Sequence, residues 1–335
     1  MDLLLSNSYE NTAKKMSIHH GVLLGKSQVK RILREEEKEL SDFLLMLEKD
    51  NKIINFSDMT LQIDGFSIRF LIHDKKIPIG KEGRYTTGLK EIKHAMIRTQ
   101  GSITPKHSIK QYINTKYTRE DYKEELERLL KSNGLSKKSR VFVLADGAPW
   151  IKKIIDYLFM NKKNEYYFLI DWYHLSEYIN NAVKSILGLS KKERKEYVKR
   201  WEDYAYNGFI TKITDEIKEK NLIEKAMILI IENKKVNYVE KLHSYISNRT
   251  GLKEDQFDYP FYRENNMPEG SGEVEGGNKL YKFRMGGPKN WSIKGAETIL
   301  NILTLNLNEE MSNYWLYRRK NIRLQEGLSK LDKVA

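Results

Sequence analysis

Three acidic residues, Asp64, Asp146 and Glu275, stand where a chain of mixed helices and strands presents chemistry. Asp64 lies within the alternating stretch Met59 to Ile72, Asp146 follows the apolar run VFVLA, and Glu275 opens a helix after a Gly-rich segment. Open α/β sheets bind ligands beyond the carboxyl ends of their strands, which is where Asp146 falls. Three carboxylates gathered in one place repel one another, and two Mg²⁺ or Mn²⁺ ions offset that repulsion. Such a pair activates water or a 3′-hydroxyl on one side and stabilises the leaving oxygen on the other. Each acid also has a plain local alternative. Asp64-Gly65 reads equally as a hairpin turn, Asp146-Gly147 as a strand-to-helix turn with an Asp cap, and Glu275 as a favourable charge in a helix's first turn.

Composition narrows the setting. In 335 residues, 59 Lys and Arg against 46 Asp and Glu leave a net charge of +13, which favours a polyanionic partner. Hydrophobic residues at 40% and aromatics at 11% are enough for a sizeable core, so a folded protein is expected. The chain has no cysteine, which removes disulfides and cysteine-ligated zinc. His19 and His20 are adjacent, the other histidines are scattered and no His-x-x-x-His spacing occurs, so any metal is expected on carboxylates. Leu3 to Leu5 lacks a longer apolar continuation, and no stretch reaches the roughly 18 apolar residues of a membrane span. A cytoplasmic protein without membrane contact is the expectation.

The elements that must position these acids follow from periodicity. Tyr9 to His20 and Ser27 to Leu47 are predicted helices broken at Gly21 to Gly25, either a helix-turn-helix or a helical hairpin packed on the next domain. Lys26, Lys30, Arg31 and Arg34 make the second of them basic, before Glu35, Glu36, Glu37 and Glu39 turn it acidic. Strands are predicted over Met59 to Ile72, Lys90 to Thr99, Val141 to Leu144 and Tyr166 to Ile170, with helices at Thr118 to Leu130 and Pro149 to Met160. Alternating strands and helices imply an α/β layer with a partly parallel sheet. Tyr173 to about Tyr245 reads as helical throughout, and a last long helix is expected from Ile293 to about Tyr317. The Gly-rich GSGEVEGG lacks the Lys-Ser/Thr ending of a phosphate-binding loop.

Three longer motifs occur in order: ADGAPWIKKIIDYLF from Ala145, FLIDWYHLSEYI from Phe168, and GSGEVEGGNKLYKFRMGGPKNWSIKGAETIL from Gly270. Together they resemble the DDE transposases of the Mutator-like branch of bacterial insertion sequences, and more narrowly a group long described as an uncharacterised protein family. The resemblance implies an α/β fold with a ribonuclease-H-like catalytic domain interrupted by an all-helical insertion and preceded by a short helix-turn-helix-like region. The expected boundaries are 1–52 for a possibly truncated DNA-binding region, 53–175 and 267–320 for the two parts of the core, 176–266 for the insertion and 321–335 for a basic tail.

The resemblance further implies that Asp64, Asp146 and Glu275 are both the catalytic residues and the ligands of two Mg²⁺ or Mn²⁺ ions, and it favours Glu275 over Glu273. Asp171 and His174 match the family's accessory pair. Lys30, Arg31, Lys279, Lys282, Arg284, Lys289 and Lys294, with Tyr281, Phe283 and Trp291 interleaved among the later ones, are the candidate DNA contacts. The expected reaction is metal-dependent strand cleavage and strand transfer on double-stranded DNA, the element's terminal repeats and its target, by a homo-oligomer in the bacterial cytoplasm. The alternative is a truncated or domesticated derivative that binds DNA without transposing.

Overall fold

The computed structural model describes residues 8–50, 57–73, 85–100, 110–115, 119–159, 165–231, 233–250 and 256–331. Its centre is a five-stranded mixed sheet built from β1 (Asp58–His73), β2 (Tyr85–Gln100), β3 (Lys110–Thr115), β4 (Arg140–Ala145) and β5 (Glu165–Ile170). The strands lie in the order β3-β2-β1-β4-β5. β2 runs antiparallel to both β1 and β3, whereas β4 pairs parallel with both β1 and β5. The crossovers to the parallel strands carry α3 (Arg119–Ser132) and α4 (Pro149–Phe159), as parallel pairing requires. Thr118 and Met160, which the sequence reading placed at helix ends, lie outside the described residues.

The alternation of β1 separates two cores. Met59, Leu61 and Ile63 enter the larger core, with β4, β5, α4 and the helical block. Phe66, Ile68 and Phe70 enter a second core formed with the N-terminal helices α1 (Tyr9–His20) and α2 (Lys26–Asp50) and the C-terminal helices. Thr60, Gln62 and Asp64 share the face of Phe66, because side chains two apart on a strand point the same way. β4 is buried throughout its apolar run, as a strand covered on both faces must be.

Five features depart from the sequence reading. Asp64-Gly65 is not a hairpin turn; it sits inside one continuous 16-residue strand paired to β2 along its whole length. The edge strand β3 was not anticipated, since KQYINT offers only Tyr112 and Ile113 as an apolar signal. The block after α5 (Trp172–Ser185) contains α6 (Lys191–Tyr206), α7 (Thr211–Glu219) and α8 (Tyr238–Ser247), but it is not wholly helical. It includes a hairpin of β6 (Ile228–Ile231) and β7 (Lys234–Asn237), where a β-branched run meets Asn233 at φ 63°.

The expected last helix is two helices. α11 (Ile293–Leu307) and α12 (Met311–Leu331) are separated at Asn308 to Glu310, where Glu309 takes φ 59°, and α12 continues into the segment read as a tail, as far as Leu331. The short α9 (Tyr259–Glu264) stands where a loop was expected, with Pro260 in its first turn, a position that needs no backbone donor.

The acidic half of α2 has a structural role. Glu36 accepts from the Tyr314 hydroxyl and from Arg318 Nε at 3.0 Å, and Glu39 accepts from Asn321, so this side of α2 is pinned to α12. Tyr262 makes a comparable buried tie at the parallel strands. Its hydroxyl donates toward the carbonyls of Val143 and Tyr167 at 3.1 and 2.9 Å. Tyr262→Phe should destabilise the protein by about 1 kcal/mol in urea unfolding, the net worth of a buried hydrogen bond. An unchanged midpoint would remove this contact from the account.

Candidate active site

The register of β1 with β4 brings two of the expected acids together. Ile63 is the partner of Ala145 in the parallel ladder, so Asp64 and Asp146 follow at adjacent strand positions. Asp146 ends β4 in a tight turn that only Gly147 accommodates. Gly147 has φ +76°, and an added Cβ would lie 2.6 Å from Ile170 Cδ1 and 2.9 Å from Arg249 Nε. Asp146 Oδ1 accepts from Ala148 N at 2.8 Å, closing the turn into α4. The helical block braces it from outside. The Tyr245 hydroxyl donates to the Asp146 carbonyl and Arg249 Nη2 to the Gly147 carbonyl, each at 2.8 Å. Burial raises the Tyr245 phenol above its ordinary range.

Asp64 is held between the sheet and α10 (Gly272–Met285). Its Oδ1 accepts from Gly65 N at 2.7 Å and its Oδ2 from Asn278 Nδ2 at 2.5 Å. Asn278 Oδ1 lies 2.7 Å from His94 Nδ1 on β2, so with the amide oriented to donate to Asp64, the histidine donates from Nδ1. Burial holds His94 down to about 4, against the hydrogen bond to Asn278, which favours the charged form. Burial also raises the Asp64 carboxyl. The Gly65 N–H bond opposes that rise, the Asp146 charge adds to it, and the neighbouring His174 and Lys282 oppose it.

Three contacts dock the start of α10 on this arrangement. Val274 N donates to Gln62 Oε1 at 3.1 Å, Glu273 forms an ion pair with Arg98, and Ser271 N donates to Asp171 Oδ2. Asp171 is fully buried, and its other oxygen accepts from His174 N at 3.1 Å to cap α5. It therefore joins β5, α5 and α10, while His174 is half-buried within electrostatic reach of Asp64. Glu275, Asn278 and Lys282 are spaced three and four residues apart, so they share one face of α10, the face that meets Asp64. Among the described residues the Glu275 carboxylate makes no hydrogen bond or ion pair, whereas Glu273 is committed to Arg98.

The expected convergence of all three acids is only partly present. Among the described residues no three acids or histidines form a group placed to hold a metal. The structure pairs Asp64 with Asp146 and leaves Glu275 on the facing helix. One cause is visible at Asp64, both of whose oxygens accept protein hydrogen bonds.

The candidate DNA contacts also divide. Lys30, Arg31, Lys279, Lys282 and Lys294 are exposed, while Lys289 is half-buried with its Nζ on the Arg284 carbonyl at 2.8 Å. Arg284 does not fit the expected role. It is 2% exposed, its guanidinium lying 5.1 Å from the Trp291 ring and 5.6 Å from that of Tyr9, where it packs α10 against α1. Tyr281 and Trp291 are buried too, so of the interleaved aromatics only Phe283 reaches the surface. Sequence reasoning missed Gln62, His94, Asn278, Tyr245 and Arg249. Asn278 carried a usable signal, three residues after Glu275 and four before Lys282.

The fold and site together define a mixed α/β protein whose sheet presents paired carboxylates where β4 ends beside β1, faced by a helix of mixed acidic and basic character. No family model matches the chain. It is 30% identical over 128 residues to a UPF0236 protein of Caldanaerobacter subterraneus subsp. tengcongensis, a stretch that is 35% of this chain and 22% of that relative. Among solved structures it is similar to the Drosophila P element transposase strand transfer complex, with 12% identity and a TM-score of 0.31 over 96% of this chain and 80% of that one. It is also similar to NurA bound to dAMP and manganese, with 12% identity and a TM-score of 0.10 over 86% of this chain and 65% of that one. Similarity at these TM-scores does not show a shared fold. No described helix is long and apolar enough to cross a membrane.

His94 supplies a test of the site's packing. Its folded value near 4 lies below the unfolded 6.5, so the unfolded chain binds the extra proton first as pH falls. Its stabilising contribution is therefore complete above about pH 6.5 and is lost on the way down to about pH 4, amounting to roughly 3 kcal/mol at most. Urea unfolding between these limits should show a shallower pH dependence in His94→Gln than in the parent. Equal slopes would mean that the histidine is not buried as described.

Proposed function

We propose that this chain forms the catalytic part of a DDE transposase of the insertion-sequence type, cutting DNA and transferring the cut strand with the help of Mg²⁺ or Mn²⁺. The observation that carries the reading is the pairing of Asp146, just past the end of β4, with Asp64 on the neighbouring β1, beneath the face of α10 that bears Glu275. The strand order and the helical block between β5 and α10 support a ribonuclease-H-like domain with a helical insertion. The relationship to a UPF0236 protein supports the narrower of the two sequence resemblances.

The donor set suits a hard divalent cation, because it offers carboxylate oxygens and because cationic charge would relieve the repulsion between Asp64 and Asp146. Asp64 and Asp146 would hold such ions, with Glu275 completing the second position. Bound there, they would supply an activated water or 3′-hydroxyl and would stabilise the leaving oxygen. The protein's own groups orient the components. His94 and Asn278 fix the Asp64 carboxylate, the Tyr245 and Arg249 brace fixes Asp146, and Asp171 sets the entry of α10. Lys282, exposed and within electrostatic reach of Asp64, is placed to meet a phosphate of the bound strand. Paired element ends and target DNA would be handled by a homo-oligomer.

The test is strand cleavage on DNA carrying the sequences that flank the gene, in Mg²⁺ or Mn²⁺. Asp64→Asn, Asp146→Asn and Glu275→Gln should each lower cleavage about 100-fold or more while retaining DNA binding. Glu273→Gln should be milder. Binding by the parent without any nicking would contradict the catalytic reading, and full cleavage by Glu275→Gln would remove that residue from the site. Lys282→Ala should weaken binding and lower the salt slope by about one; an unchanged slope would exclude it as a phosphate contact.

A further inference from the structure

We infer that the cavity beside Asp64 is a subsite for one unpaired nucleobase of the substrate strand, stacked on Tyr173; this rests on the strand-cleavage reading above. The cavity measures about 340 Å³, within the range of roughly 300–1,000 Å³ that ligand pockets occupy. Its walls include Gln62, Trp172, Tyr173, Glu269, Gly270 and Glu273. Gln62 precedes Asp64 by two residues on the same face of β1, a step of about 7 Å along the strand. Trp172 and Tyr173 fall between Asp171 and His174, so the cavity adjoins the paired carboxylates.

The two aromatic residues are held differently. The Trp172 ring makes edge contacts with Tyr206 and Tyr259, at centroid distances of 5.3 and 5.1 Å, and the backbone N–H of Trp172 donates to the Glu269 carbonyl at 3.1 Å. Tyr173 is 62% exposed beside this rigid wall. One edge of its ring packs so closely on Gly270 that a Cβ there would lie 2.9 Å from Cε2. The ring is thus anchored along one side while most of its surface meets solvent, as a stacking platform requires.

Charge decides what can enter. Glu269 and Glu273 line the cavity and would repel a phosphate. Glu273 is ion-paired with Arg98, and Glu269 lies 3.4 Å from Arg263. Burial raises the Glu269 carboxyl, with Arg263 opposing it. A flat, uncharged ring avoids the repulsion, and an exocyclic amine on that ring gives the Glu269 oxygens a donor. Adenine and cytosine carry such an amine, and thymine does not. The strand's phosphates then lie outside the cavity, toward the exposed Lys279 and Lys282.

The experiment measures fluorescence anisotropy of the full chain with short single-stranded homopolymers of adenine, cytosine or thymine deoxynucleotides and with an abasic strand of equal length and charge. EDTA is present, so no cleavage occurs, and a failure here is distinct from a failure of the Mg²⁺-dependent cleavage test. The parent should prefer the adenine and cytosine strands over thymine, and all three over the abasic strand. Tyr173→Ala should lower affinity for the adenine and cytosine strands about 10-fold and leave the abasic strand unchanged. Glu269→Gln should narrow the preference for cytosine over thymine. The inference is overturned if the parent binds base-bearing and abasic strands equally, or if Tyr173→Ala weakens both to the same degree or neither. Because Tyr173 is largely exposed, its replacement should leave the circular dichroism spectrum and unfolding midpoint unaltered.

Discussion

The arrangement depends on holding two like charges side by side. Once β1 and β4 pair in parallel with Ile63 beside Ala145, Asp64 and Asp146 must neighbour one another, and their mutual repulsion has to be met by the surroundings. Asp64 is steadied by Asn278 and the Gly65 N–H, and Asp146 by its own turn. The neighbouring His174 and Lys282 oppose what burial and repulsion do to Asp64. The strand register creates the problem, and the elements packed on this end of the sheet supply the compensation.

This dependence gives the helical block and α10 distinct tasks. The block reaches the site through Tyr245 and Arg249, which bond to the backbone of Asp146 and Gly147 and leave the side chain of Asp146 for other partners. α10 is set by Gln62, Arg98 and Asp171 at its first turn, and it reaches the site through side chains on a single face. Glu273 and Glu275 illustrate the difference that one helical face makes. One carboxylate neutralises Arg98 and fixes the helix, whereas the other has no such commitment among the described residues.

Much of this was legible in sequence where a periodic signal was strong. Alternation gave β1 and β2, the apolar run VFVLA gave β4, and the placement of Asp146 followed from that strand's end. Spacing alone could not show that β1 continues through Gly65, because a DG dipeptide in alternating sequence suits a turn as well as a strand. The hairpin β6–β7 was hidden in a long helical reading, since a four-residue apolar run has too few positions to distinguish its period. Arg284 looked like a surface cation until its packing between Tyr9 and Trp291 was visible, a contact that joins residues from opposite ends of the chain. The link from His94 through Asn278 to Asp64 likewise spans three separate elements, and local pattern carries no record of it.

The central proposal is that Asp64, Asp146 and Glu275 together hold a pair of divalent cations. Iron-mediated cleavage of the polypeptide tests it directly: Fe²⁺ is allowed to occupy the site, hydroxyl radicals are generated with ascorbate and peroxide, and the broken peptide bonds are mapped by mass spectrometry. The account predicts three clusters of cuts, near Asp64 in β1, at the Asp146-Gly147 turn and in the first turns of α10, all suppressed by excess Mg²⁺ and absent in Asp146→Asn. Cuts that fall elsewhere, or that persist unchanged in Asp146→Asn, would contradict it.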